Sequence, residues 1–341
     1  MTRLRNVVLG GLAALAIGGV ASSALAEETG SFQNRLNGAT IGLPLGALPP
    51  PGLYSGLETI YLGMLGVGPN TKGNQGNGLF LPAISQAVPV LWVPGWNFLG
   101  ASYAFSVVQA FYNNNNTGTT SAGTPFGTPA SPVIGGQYTT ANTFWSPLNL
   151  SWNLGGGWFT SISFNVTTPD GTHTSTNGLF TPNPDYWTFE PAWAIAYLAN
   201  NWVLAGNFFY DINTQSQGHC CASSLLSPGV PAGGFKITSG NALYGDLTAL
   251  YKFGKWELGP VGYFEVQTTS DSGFGCPALC GNLSNVAVGG LVGYDFGPVD
   301  LQVWVTDSVA RTNAIDGFNI WTRLGFRIWG PEAPKPLVAK N

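Results

Sequence analysis

Phe98-Leu-Gly-Ala-Ser-Tyr-Ala-Phe-Ser-Val-Val-Gln-Ala-Phe-Tyr112 alternates with a period of two. Leu99, Ala101, Tyr103, Phe105 and Val107 share one face of an extended chain, and Gly100, Ser102, Ala104 and Ser106 share the other. A strand of this length, apolar on one side and small or polar on the other, suits a wall between lipid and water.

The same pattern recurs on both sides. It predicts paired strands at Thr143–Leu154 and Trp158–Thr168, Tyr186–Leu198 and Trp202–Asn213, Asn241–Phe253 and Lys255–Thr269, and Leu283–Phe296 and Val299–Val309. A closing strand is expected at Phe318–Trp329. Gly155-Gly-Gly157, Ala199-Asn-Asn201, Gly254 and Gly297-Pro298 join the pairs with hairpin-turn chemistry. Long Asn/Thr/Gly/Ser/Pro-rich connections follow near 113–140, 169–185, 214–238, 270–282 and 310–317. Upstream, Tyr54–Gly66 and Phe80–Val93 complete about twelve strands, although Pro82 and Pro89 weaken the second. The expected fold is an all-β, transmembrane, antiparallel up-and-down β-barrel over residues 54–329.

Composition supports this against a soluble sandwich or propeller. Charged residues are 8% of the chain, where roughly a quarter is usual. After the N-terminus no stretch approaches the ~18 apolar residues of a membrane helix. Trp and Tyr gather at strand ends, where membrane girdles sit, as with Trp187, Tyr197, Trp202 and Tyr210.

Residues 1–26 read as a cleaved signal peptide rather than a retained anchor. Arg3 and Arg5 precede the uncharged Val7–Val20 core, and Ala24-Leu-Ala26 is a small-x-small cleavage site. Residues 27–53 are then expected as a periplasmic N-terminal segment and Gly330–Asn341 as a Pro-rich C-terminal tail. Without Arg3 and Arg5 the 12 basic residues fall to ten against 16 acidic ones. With no basic cluster, nucleic acid is not an expected partner. The expected location is the bacterial outer membrane, with its lipid and the barrel assembly machinery as partners.

Several stretches resemble the outer-membrane transporter family of the phenol-degradation meta-pathway proteins. They are Leu48-Pro-Pro-Pro-Gly-Leu-Tyr54, Trp187-Thr-Phe-Glu-Pro191 with Trp202, Thr238-Ser-Gly-Asn241 leading to Asp246-Leu-Thr-Ala249, and Leu258-Gly-Pro-Val-Gly-Tyr263 with Gln267. Their order and spacing extend over roughly residues 48–329. The resemblance implies a barrel that passes small, often aromatic, compounds. In one departure, Trp329 is followed by further chain where many outer-membrane barrels end on an aromatic residue.

Strand charges fall mostly on the lumen-facing side, with Glu58, Lys252 and Asp307 as expected exceptions. Glu190, Asp211, Asp246, Glu257, Glu265, Asp295, Asp300, Arg323 and Arg327 alternate with small or polar neighbours. Two readings compete: a polar pore lining that guides a solute, or an internal ion-pair network that plugs the barrel. Tyr244, Tyr263, Trp304 and Trp321 on the same face either stack on an aromatic solute or fill space. Accordingly two functions stand side by side. One is passive uptake of a small, aromatic or hydrophobic solute; the other is a surface-interaction barrel with a blocked lumen.

Catalysis is not expected, because His173 and His219 both fall in loops, and neither has an oriented acid in view. Nor is a cofactor or a metal. Cys220, Cys221, Cys276 and Cys280 are disulfide candidates in an oxidising exterior, with a zinc site including His219 as the minor alternative. A local Cys276–Cys280 bridge or two cross-loop bridges are favoured over a strained vicinal bond.

Overall fold

A computed structural model describes residues 34–65, 80–115, 118–119, 132–133, 136–172, 183–217, 236–273, 282–312, 314 and 316–331. The signal peptide, both histidines, all four cysteines and residues 332–341 lie outside the described residues.

Twelve long strands make the wall. They are β1 Gly52–Leu65, β2 Phe80–Val93, β3 Ala101–Asn115, β4 Thr143–Gly155, β5 Trp158–Thr168 and β6 Thr188–Ala199. The second half is β7 Trp202–Asn213, β8 Ala242–Phe253, β9 Trp256–Gln267, β10 Ser284–Asp295, β11 Val299–Thr312 and β12 Asp316–Trp329. Each strand pairs antiparallel with its neighbours in the chain. Pairing of β1 with β12, from Leu53–Trp329 to Leu65–Asp316, closes the ring. Closure leaves no strand edge unpaired, as a wall in lipid requires.

The alternation works as expected in β6 and β7. Phe189 and Trp193 are exposed on the outside, while Glu190, Ala194, Asn207 and Asp211 are buried inside. Period two on a closed sheet leaves each residue only these two destinations. Aromatic pairs mark the end with the short turns, including Trp158–Tyr197 at 4.9 Å, Trp202–Tyr251 at 5.1 Å and Trp256–Tyr294 at 4.7 Å. These rings form the girdle that holds a barrel at the membrane interface. Asn200, Asn201 and Gly254 adopt positive φ at two of the tight turns, as primed hairpin turns demand.

Three details differ from the sequence reading. Phe98–Gly100 does not begin a strand: Leu99 and Gly100 both have positive φ, and Asn97–Phe98 folds back on Ala101–Ser102. Asn97 accepts the Gly100 N–H at 3.2 Å and fixes this turn. The expected long connection at 310–317 is short, because β11 continues to Thr312 and β12 resumes at Asp316. Pro89 leaves β2 continuous, and its carbonyl accepts the Ser55 hydroxyl at 2.8 Å.

Because backbone bonds close around the ring, the unheated protein should migrate faster than the heated one in SDS gels. Identical migration before and after boiling would contradict a closed barrel.

Candidate functional site: the occupied lumen

Part of the segment expected in the periplasm runs inside the barrel. Asn34 lies near the rim that carries the long connections, bonded to Thr188 at 2.7 Å and to Asn142 at 2.7 Å. From there the chain descends to Pro51 at the opposite rim, where Arg327 binds its carbonyl. Its backbone makes successive turns on itself: Ala39 to Leu36, Ile41 to Gly38, Leu43 to Thr40 and Ala47 to Pro44. Pro44, Pro49, Pro50 and three glycines favour such turns over a thirteenth strand. Among the described hydrogen bonds, every one between this plug and the wall uses a side chain on one partner.

The plug has a polar side and an apolar side. On the polar side Arg35 Nη1 lies 3.0 Å from Glu190, and Asn37 donates to Glu265 at 2.5 Å. Asp246 accepts the Gly38 and Thr40 N–H groups and the Thr40 hydroxyl at 2.6–3.1 Å. Asn207 donates to the carbonyls of Thr40 and Leu43. On the apolar side Ile41, fully buried, joins Ile60, Tyr263, Leu291, Trp304 and Trp321 in a core, with Leu36 and Ala39 packed against it. Trp304 and Trp321 are direct cross-strand partners and stack with centroids 5.3 Å apart.

Arg323 joins the two sides. It pairs with Glu58 at 2.6 Å, donates to the Ile41 and Ala39 carbonyls, and reaches Gln302 at 2.9 Å. Its guanidinium also lies 4.7 Å from the Trp304 ring centroid. A buried arginine held by one carboxylate, one amide and two carbonyls is nearly saturated with acceptors.

The site residues inferred from sequence thus divide. Glu190, Asp246, Glu265 and Arg323 contact the plug's polar atoms; Tyr263, Trp304 and Trp321 form its apolar seat. Asp211 is buried beside the Arg35 charge, and Tyr244 packs with Phe209. Arg327 stays outside the network, at the rim near Tyr54. Two face assignments are corrected. Glu58 faces the lumen, opposite Arg323, because the β1–β12 closure places them directly across from each other. Lys252 also faces inward at the rim, 3.7 Å from its cross-strand partner Glu257. Asp307 remains on the outer side opposite Phe318.

Sequence reasoning missed Arg35, Asn207, Phe209 and Gln302. One signal was available: five acids on β6–β9, Glu190, Asp211, Asp246, Glu257 and Glu265, face a single base on those strands, Lys252.

Gly42 tests how tightly the plug fits. It holds φ +81°, and a Cβ there would lie 2.7 Å from Gln302 Oε1 and 2.9 Å from Leu291 Cδ1. Gly42→Val is therefore expected to displace the plug and raise basal single-channel conductance without loss of heat-modifiable migration. Unchanged conductance would mean the plug accommodates the bulk in place.

A closed twelve-stranded wall with an apolar exterior and aromatic girdle defines an integral outer-membrane β-barrel of the Gram-negative type, filled by its own N-terminal segment. The chain belongs to the family described as "Putative MetA-pathway of phenol degradation", whose profile matches residues 68–324. An outer-membrane channel of Pseudomonas putida F1 superposes with a TM-score of 0.63 at 12% identity, covering 82% of this chain and 96% of that one. The Ralstonia pickettii toluene transporter TbuX aligns at a TM-score of 0.39 and 12% identity, covering 85% and 92%. The P. putida toluene transporter TodX aligns at 0.39 and 9%, covering 88% and 96%. Similarity at these last two scores says nothing about what this barrel carries. No curated protein matches the chain.

Proposed function

We propose that this barrel is a gated channel for passive uptake of small aromatic or hydrophobic molecules, closed in the present state by residues 34–50. The observation that carries the reading is the plug's mode of attachment. It rests on side-chain contacts and contributes no strand to the wall, so it can leave without breaking the ring. Its departure uncovers an aromatic wall made by Tyr263, Trp304 and Trp321, a surface on which a flat apolar solute stacks. Membership of a family described by a pathway of phenol degradation agrees with this choice of cargo. The role is transport without catalysis, with no cofactor.

A second reading, a permanently closed barrel that displays its loops, is favoured by the full burial of Ile41 and by the many bonds to Arg323. Proteoliposomes separate the two. Entry of toluene or phenol faster than in protein-free vesicles, accelerated by Gly42→Val, supports the channel. Rates equal to protein-free vesicles for both proteins would favour the closed barrel.

A further inference from the structure

Arg35 does more than plug a hole. Its Cζ lies 3.2 Å from the centroid of the Phe209 ring and 6.0 Å from that of Tyr244. Glu190 lies at one edge of its guanidinium and Asp246 at another, the latter 3.8 Å from Nη2. All four wall residues are buried. They come from β6, β7 and β8, and Phe209 and Tyr244 are direct cross-strand partners. Asn165 on β5 donates to Glu190 at 2.7 Å and holds that carboxylate in place. The cage is thus built by the ring, whereas its occupant arrives on a segment that belongs to no strand.

The occupant fits imperfectly. A single nitrogen, Nη1, serves both Glu190 oxygens at 3.2 and 3.0 Å. Nη2 is buried and makes no hydrogen bond, on a side chain that is only 8% accessible. Guanidinium–carboxylate pairs are strongest when two nitrogens face two oxygens in parallel. Arg35 is prevented from turning into that geometry by anchors on either side of it, Asn34 on Thr188 and Thr40 on Asp246. A free cation carries no such restraint.

We propose that the lumen wall of β6–β8 is a binding site for a flat organic cation of the guanidinium or amidinium class, which Arg35 fills as a tethered guest in the closed state. Phe209 receives the face of the ion and Glu190 and Asp246 receive its edges, the combination that recognises a desolvated planar cation. A spherical ammonium ion matches the charge but cannot present two parallel N–H groups to Glu190. The site is independent of the channel reading, although in a conducting barrel its occupation would narrow the path.

The test uses full-length protein in detergent with methylguanidinium chloride as the probe, read by titration calorimetry and by melting temperature. Arg35→Ala should bind methylguanidinium saturably, at least about tenfold more tightly than the wild type, whose cage is occupied. Tetramethylammonium should bind at least about tenfold more weakly than methylguanidinium. Adding Glu190→Gln to Arg35→Ala should abolish the binding. Arg35→Gln, which keeps the stem and loses the charge, serves as the companion should the alanine variant assemble poorly. No saturable binding in either variant, or binding indifferent to Glu190→Gln, overturns the proposal. Methylguanidinium binding in a protein that admits no solute would uphold the site and count against the channel. Aromatic uptake without such binding would overturn the site alone.

Discussion

Arg323→Gln is expected to lower the melting temperature sharply and, at the same time, to raise basal conductance. Removing the guanidinium leaves the largely buried Glu58 carboxylate, 12% accessible, without its 2.6 Å partner. Breaking a buried pair from one side typically costs on the order of 3–5 kcal/mol. The same substitution takes two donors from the Ile41 and Ala39 carbonyls, so the plug loses an anchor on its apolar side. Single-channel recording and thermal unfolding on the same preparation check both effects. A large fall in stability with unchanged conductance would identify the network as a fixed structural clamp and defeat the gated channel.

Ile195→Arg should fail to assemble into membranes, whereas Ser102→Arg should insert. Ile195 points outward from the middle of β6, between Trp193 and Tyr197 on the lipid face. An arginine at mid-bilayer costs about 2–4 kcal/mol. Ser102 is exposed on the lumen side of β3, opposite Ser151, where a charge meets water. Ala194 is a poorer control than alternation alone suggests. It faces inward but is buried, so a long side chain there would meet packed atoms rather than a free lumen. Membrane fractionation and heat-modifiability provide the readout. Equal insertion of both variants would show that the faces are misassigned, because a shift of one residue exchanges them.

Much of the wall was legible in the sequence because its cause is local. Trp187, Phe189 and Trp193 alternate with Thr188, Glu190 and Ala194, and no partner strand is needed to see which side avoids water. Less was legible where the pattern weakens. β1 carries Tyr54, Glu58 and Ile60 on one face and Leu53, Ser55 and Leu57 on the other, so both faces mix polar and apolar residues. The direction of Glu58 is settled by Arg323 across the closing seam, 265 residues away in the chain. Leu99 concealed a turn, since positive φ is uncommon for a residue other than glycine and nothing in an apolar run announces it.

The sequence by itself determined the number of strands, the inward and outward faces of most of them, the short turns and the membrane-facing exterior. These follow from period-two alternation and turn chemistry, which act over a few residues. Only the tertiary structure decided what fills the lumen. Glu190, Asp246 and Glu265 are visible on their strands as an excess of negative charge. The groups that answer them, Arg35, Gly38, Thr40 and Asn37, lie about 150–230 residues earlier in a segment without alternation. Buried charge must find a partner wherever the closed ring brings one within reach, and that reach exists only after the ring has formed.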